Sequence, residues 1–107
     1  MCAQADEFIA VLTTVASEEQ AKAIAQALLE AKLAACINLF PIQSYYTWQE
    51  KINCDREWQL IIKTRFALFS QLTATIQALH KYEIPEIIAL PIVEGSQSYL
   101  QWLKNSL

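Results

Sequence analysis

Two short stretches of the chain, Phe8-Ile9-Ala10-Val11-Leu12 and Ile87 to Ile92, are apolar at every position. The segments between them alternate with recognisable periods. Glu7 to Thr14 reads as a strand. Ser17-Glu18-Glu19-Gln20 then has the Ser-x-x-Gln form of a capping box, in which two side chains satisfy free backbone donors at a helix start. Ala21, Ile24, Ala25, Leu28 and Leu29 follow at helical spacing, and Lys32 to Ala35 closes that helix. From Cys36 the period becomes two: Ile42, Ser44, Tyr46 and Trp48 share one face and Gln43, Tyr45, Thr47 and Gln49 the other. Asn53-Cys54-Asp55 reads as a polar turn, leading into a strand from Glu57 to Thr64 and hence a long hairpin. A second helix is expected over Ala67 to His80, with Phe69, Leu72, Ile76 and Leu79 on one side. Pro85 breaks the chain, Ile87 to Ile92 forms a last strand, and Ser96 to Leu103 a last helix.

The order β-α-β-β-α-β plus a terminal helix is the split βαβ plan of ferredoxin-like α+β folds. In that plan both helices pack on one face of the sheet. A strand facing water on its other side would alternate with polar residues. The first and last strands do not, so their second face must be covered. Another copy of the chain is the simplest cover, and the terminal helix is the alternative.

Bulk properties narrow the field. The 107 residues suit one domain, expected to span 1–107, and a chain of 12.2 kDa can bury a core without disulfides or a structural metal. Charged residues make up 18% of the sequence, below the usual ~25%, which again suggests that some surface meets protein. Net charge is −3 with no basic run, which argues against a nucleic-acid partner. No apolar run approaches the ~20 residues of a membrane span, and Met1 to Asp6 lacks the form of a signal peptide. Cys2, Cys36 and Cys54 have no metal-type spacing. Reduced thiols in a cytoplasm fit best.

The chemistry on offer is sparse. His80 is the one histidine, read either as a helix-end group near free carbonyls or as a ligand that symmetry multiplies in an oligomer. Cys36 sits where helix becomes strand and reads as a small buried hydrophobe, with metal ligation or thiol reactivity as the alternative. Cys2 and Cys54 read as incidental. Glu57, Gln59 and Lys63 share one strand face, and Lys63 is expected to meet a carboxylate, of its own or a neighbouring chain, since buried charge needs a partner. Tyr45, Tyr46 and Trp48 suit cross-strand packing or the stacking of a flat ligand. Gly95 stands alone, excluding a Gly-rich phosphate loop, and no nucleophile–base pair can be assembled, so an enzyme is not expected.

Several blocks together resemble the CutA, or divalent-cation-tolerance, family. They are Lys32-Leu33-Ala34-Ala35-Cys36-Ile37-Asn38, Ser44-Tyr45-Tyr46-Thr47-Trp48 with Lys51, and Glu57 leading to Ile61-Ile62-Lys63-Thr64. His80-Lys81-Tyr82-Glu83-Ile84-Pro85-Glu86-Ile87 and Gly95 with Tyr99-Leu100-x-Trp102 complete the series, from about Phe8 to Leu103. The resemblance implies a ferredoxin-like subunit in a homotrimer joined by the long hairpins, shaped like the PII signalling proteins, with clefts between subunits. It implies a role in tolerance or response to divalent cations through binding of Cu(II) or a similar ion, without an organic cofactor. The alternative it offers is a PII-like module holding a small ligand in those clefts. Carried over by position, Trp48, Glu57, Lys63, Tyr82 and Glu86 would line the cleft. His80 would be the metal ligand, with Glu83, Glu86 or Cys36 in support. The chain departs from the pattern at Lys81, where a proline often stands, and at Leu79 and Thr13, where some members carry His and Cys. Glu50 stands where the hairpin commonly has Gly.

Overall fold

The computed structural model describes residues 7–107. The readings of Cys2 and of Met1 to Asp6 lie outside the described residues. Four strands, β1 (Phe8–Val15), β2 (Cys36–Trp48), β3 (Lys51–Arg65) and β4 (Ile88–Pro91), alternate with α1 (Glu18–Glu30), α2 (Phe69–Leu79) and a terminal α3 (Gln97–Asn105). A single 3-10 turn, Phe66–Leu68, leads into α2. The sheet order is β2-β3-β1-β4 with every neighbouring pair antiparallel, the ferredoxin-like arrangement expected from the element order.

Period-two alternation places Ile9, Val11, Thr13 and Val15 of β1 on the face that carries α1 and α2, across from Thr64, Ile62, Leu60 and Trp58 of β3. Ile24 and Leu28 of α1 and Leu72 and Ile76 of α2 close over them, all fully buried, and form the main core. Helix α1 begins on half a capping box. Ser17 Oγ accepts from the Gln20 N–H at 3.2 Å, but the Gln20 side chain turns away from Ser17 and donates to the Leu79 carbonyl at 3.4 Å. It thereby caps the C-terminus of α2 across the helix pair, using a carbonyl that the helix itself leaves free. At the other end of α1, Lys32 takes φ 57°. The Lys32 N–H then reaches the Leu29 carbonyl and the Leu33 N–H the Leu28 carbonyl, the paired bonds of a Schellman stop.

The hairpin turn is not at Asn53-Cys54-Asp55. Trp48 pairs with Lys51, so the turn is the two residues Gln49 and Glu50, at φ 52° and 64°. Left-handed backbone at both positions matches the twist of the flanking strands, but usually calls on Asn-Gly. Gln-Glu carries no such signature, which is why the polar trio drew the turn to itself. Cys54 and Asp55 are strand residues opposite Tyr45 and Ser44. β4 is also shorter than the apolar run suggests, because only Ile88 to Pro91 pair with β1.

The second face of the sheet carries Phe8, Ala10 and Leu12 of β1, Ile61 and Lys63 of β3, Phe40 of β2, and Ile88 and Leu90 of β4. Helix α3 covers part of it. Tyr99 Oη lies 3.5 Å from Lys63 Nζ, and Leu103 is fully buried outside the main core. Phe40, Ile88 and Leu90 stay 40–48% exposed, so the terminal helix alone does not cover this face.

Candidate functional site

The sequence brings together four residues distant along the chain by ending α2 at the C-terminus of β1. His80 is the C-cap of α2, with extended backbone and its own N–H bonded to the Ile76 carbonyl. Its ring lies against the edge of β1, where Nε2 is 2.7 Å from the Thr14 carbonyl oxygen. A carbonyl only accepts, so Nε2 carries the proton. Nδ1 is left with its lone pair and accepts the Tyr82 N–H at 3.0 Å. Both ring nitrogens are therefore engaged, and the imidazole is the neutral Nε2–H tautomer.

Tyr82 folds back over that ring, centroid to centroid 4.8 Å, and donates its phenol proton to Glu57 Oε2 at 2.7 Å. Glu57 is only 9% exposed. Burial first, and the Glu57 bond second, hold the Tyr82 phenol well above its usual range. Two residues along the same face of β3, Asp55 accepts from Tyr46 Oη, which pushes the Tyr46 phenol up in the same way. Two carboxylates on the same strand face thus each accept a hydrogen bond from a phenol. Among the described residues the one ion pair is Lys22–Glu18, at 3.6 Å, so neither carboxylate meets a cation.

Thr14, Tyr46, Glu57 and Tyr82 border an open groove of about 620 Å³ between the hairpin and the segment after α2. Trp48, Tyr46 and Tyr82 give it aromatic walls, and Glu57, Glu83 and Glu86 outnumber Lys81. A smaller cavity of about 460 Å³, bordered by Arg56, Trp58 and Pro41, shares Glu57 with it.

Of the residues expected to line a cleft, Trp48, Glu57, Tyr82 and Glu86 meet in the one groove. Lys63 does not. It lies six residues along β3 from Glu57, about 20 Å in an extended strand. Its ammonium sits over the Tyr99 ring at 5.7 Å, with no carboxylate in reach among the described residues. Cys36 pairs with Lys63 in the strand register, far along the hairpin from the row of Thr14 and Gln59 that His80 touches. It is half-buried with a free thiol, whereas Cys54 is exposed. No group of three or more His, Cys, Asp or Glu that could hold a metal forms among the described residues.

Two participants escape the sequence pattern. Thr14 acts through its carbonyl, which no side-chain motif can signal. Asp55 is hidden by its apparent place in a turn; once β3 is extended to Lys51, its parity with Glu57 puts both on one face.

The fold and groove can be set beside known proteins. The sequence profile of the CutA1 divalent ion tolerance proteins matches residues 9–106. The chain belongs to this family. It is 50% identical over 99 residues to the protein named CutA, chloroplastic, of Arabidopsis thaliana, covering 92% of this chain but 54% of that one. The chain thus spans about half the length of the plant relatives it matches. It is 48% identical over 97 residues to the divalent-cation tolerance protein CutA of Thermus thermophilus, covering 90% and 94% of the two chains. Among solved structures, that of the periplasmic divalent cation tolerance protein CutA from Archaeoglobus fulgidus superposes with TM-score 0.90 at 39% identity, over 92% and 97% of the two chains. CutA1 from Oryza sativa gives the same score at 48% identity, over 94% and 93%. The Thermus and Archaeoglobus relatives are named as tolerance proteins, not as enzymes. The Arabidopsis relative is named as chloroplastic and the Archaeoglobus one as periplasmic. Among the described residues no helix is long and apolar enough to cross a membrane.

Proposed function

We propose that this chain serves the divalent-cation response as a homotrimeric binding module without catalytic chemistry, working through the groove that holds Glu57. The observation that carries this reading is the Glu57 carboxylate itself, nine-tenths buried, bonded to Tyr82 and facing an open aromatic groove. Buried charge without a cationic partner is costly, and its persistence suits a ligand site better than a packing role. The trimer is supported by the apolar sheet face that α3 leaves open at Phe40, Ile88 and Leu90. It agrees too with the homotrimer that the resemblance to the CutA family implies. The absence of catalysis agrees with an imidazole whose two nitrogens are both committed to backbone partners. A cytoplasmic setting agrees with the free Cys36 and Cys54 thiols. Thermal-shift screening of the assembled protein against small cations, anions and nucleotides tests the groove. Stabilisation by one class, lost in Glu57→Gln, is the expected outcome; no stabilisation by any class argues against a ligand site.

A second reading, binding of Cu(II) or a similar divalent ion, is favoured by one observation. His80, Glu83 and Glu86 fall within a seven-residue segment, and Glu83 and Glu86 line the groove. Imidazole and carboxylate oxygens suit Cu(II). The donor set is not a prebuilt site, because a copper ion at Nδ1 must displace the Tyr82 N–H. Weak binding follows. Calorimetric titration of Cu(II) into wild type and His80→Ala tests it: saturable binding that disappears in the variant supports the reading, and unchanged binding removes His80 as the ligand.

A further inference from the structure

The groove has a chemical bias that narrows what it can hold. Glu57 Oε2 accepts from Tyr82, and its second oxygen has no protein donor among the described residues. Asp55 stands beside it on the same strand face, bonded only to the Tyr46 phenol. Phenols lend protons without neutralising charge, so this end of the groove stays anionic. Around it, the faces of Tyr46, Trp48 and Tyr82 supply the negative quadrupoles that attract cations.

Three ligand classes can be weighed against that lining. An anion meets Glu57, Glu83 and Glu86 with only Lys81 in compensation, and is repelled. A hard divalent ion wants six or more oxygens at fixed distances, and the described residues form no group of three or more acidic, His or Cys side chains able to hold one. A protonated amine needs less. One carboxylate oxygen receives its N–H, and aromatic faces receive the rest of its charge and its methylenes.

We propose that the groove binds an organic ammonium ion, whose N–H groups reach the free oxygen of Glu57 while its carbon skeleton lies across Tyr46, Trp48 and Tyr82. The proposal rests on the reading of the groove as a ligand site and names the ligand class. Ammonium chemistry can come from a free small amine or from a lysine side chain of a second copy in the assembly.

The test uses the assembled full chain at constant ionic strength, with 1,4-diaminobutane, n-butylammonium, inorganic phosphate and ATP as probes in calorimetric titrations. The proposal expects saturable binding of the amines and none of phosphate or ATP. Glu57→Gln, which keeps an acceptor for Tyr82 but removes the charge, should weaken amine binding at least tenfold. Trp48→Ala, at a half-exposed position beside the hairpin turn, should weaken it several-fold. Binding of phosphate or ATP in place of amines overturns the ammonium assignment while leaving a ligand groove. Binding of no probe, with carbodiimide coupling linking Glu57 to a lysine of a second copy, assigns the ammonium to that lysine and upholds the chemistry. Binding of no probe and no such link overturns both the assignment and the ligand groove.

Discussion

Tyr82 Oη donates to Glu57 Oε2 at 2.7 Å, joining the segment after α2 to the second strand of the hairpin across 25 residues of sequence. The bond satisfies a carboxylate that is almost fully buried. Removing the hydroxyl in Tyr82→Phe leaves that carboxylate without its donor, a loss of about 1–3 kcal/mol for a buried polar group. Chemical denaturation of the variant should show a lowered midpoint with an unchanged slope.

The same pair makes a pH prediction. The folded Tyr82 phenol titrates above its ordinary value of 10.0, chiefly through burial and then through Glu57. A group whose proton is held more tightly in the folded state adds stability below its unfolded pKa and loses it as pH rises through the folded one. Wild-type stability should therefore fall as pH climbs above 10.0. Tyr82→Phe should remove part of that fall, measured as the difference in unfolding midpoint between neutral and alkaline buffer. An identical alkaline slope in both proteins would place the loss elsewhere.

Thr13 is fully buried on the helix-covered face of β1, and its hydroxyl has no hydrogen-bond partner. An apolar side chain of the same shape avoids that burden. Thr13→Val should stabilise the fold by about 1 kcal/mol, read as a rise in thermal midpoint.

Gln49 and Glu50 hold left-handed backbone in the hairpin turn, where non-glycine residues lose about 1–2 kcal/mol each. Replacing the pair by Asn-Gly should raise stability by about 1–2 kcal/mol and leave ligand binding unchanged, since neither side chain borders the groove. A destabilised variant would mean that the tip makes contacts in the assembly that Asn-Gly loses.

Leu103 is fully buried beneath α3, apart from the main core. Leu103→Ala should cost about 2–5 kcal/mol and loosen α3 from the sheet, detectable as faster amide exchange in 97–105.

Much of this architecture is legible in the alternation of apolar and polar residues. Ile24, Leu28, Leu72 and Ile76 announce the buried faces of the two helices, and the unbroken apolar runs around Val11 and Leu90 announce a sheet with a second face to cover. The turn is not legible, because Gln49-Glu50 adopts its backbone against local preference, held by the register of two long strands. The site is legible in part. Trp48, Glu57, Tyr82 and Glu86, singled out from the blocks, border one groove of a single chain. The distance between Lys63 and Glu57 is a matter of strand length, and the commitment of both His80 nitrogens depends on where α2 ends against Thr14. The first relation follows from the sequence separation, and the second is not written in local pattern.

The central claim is a homotrimer built on the open sheet face, and sedimentation equilibrium of the purified chain tests it most directly. A single species of three times the 12.2 kDa chain mass is expected, broken to the chain mass when Leu90 is replaced by Glu. A wild-type protein that sediments at 12.2 kDa across micromolar concentrations would contradict it.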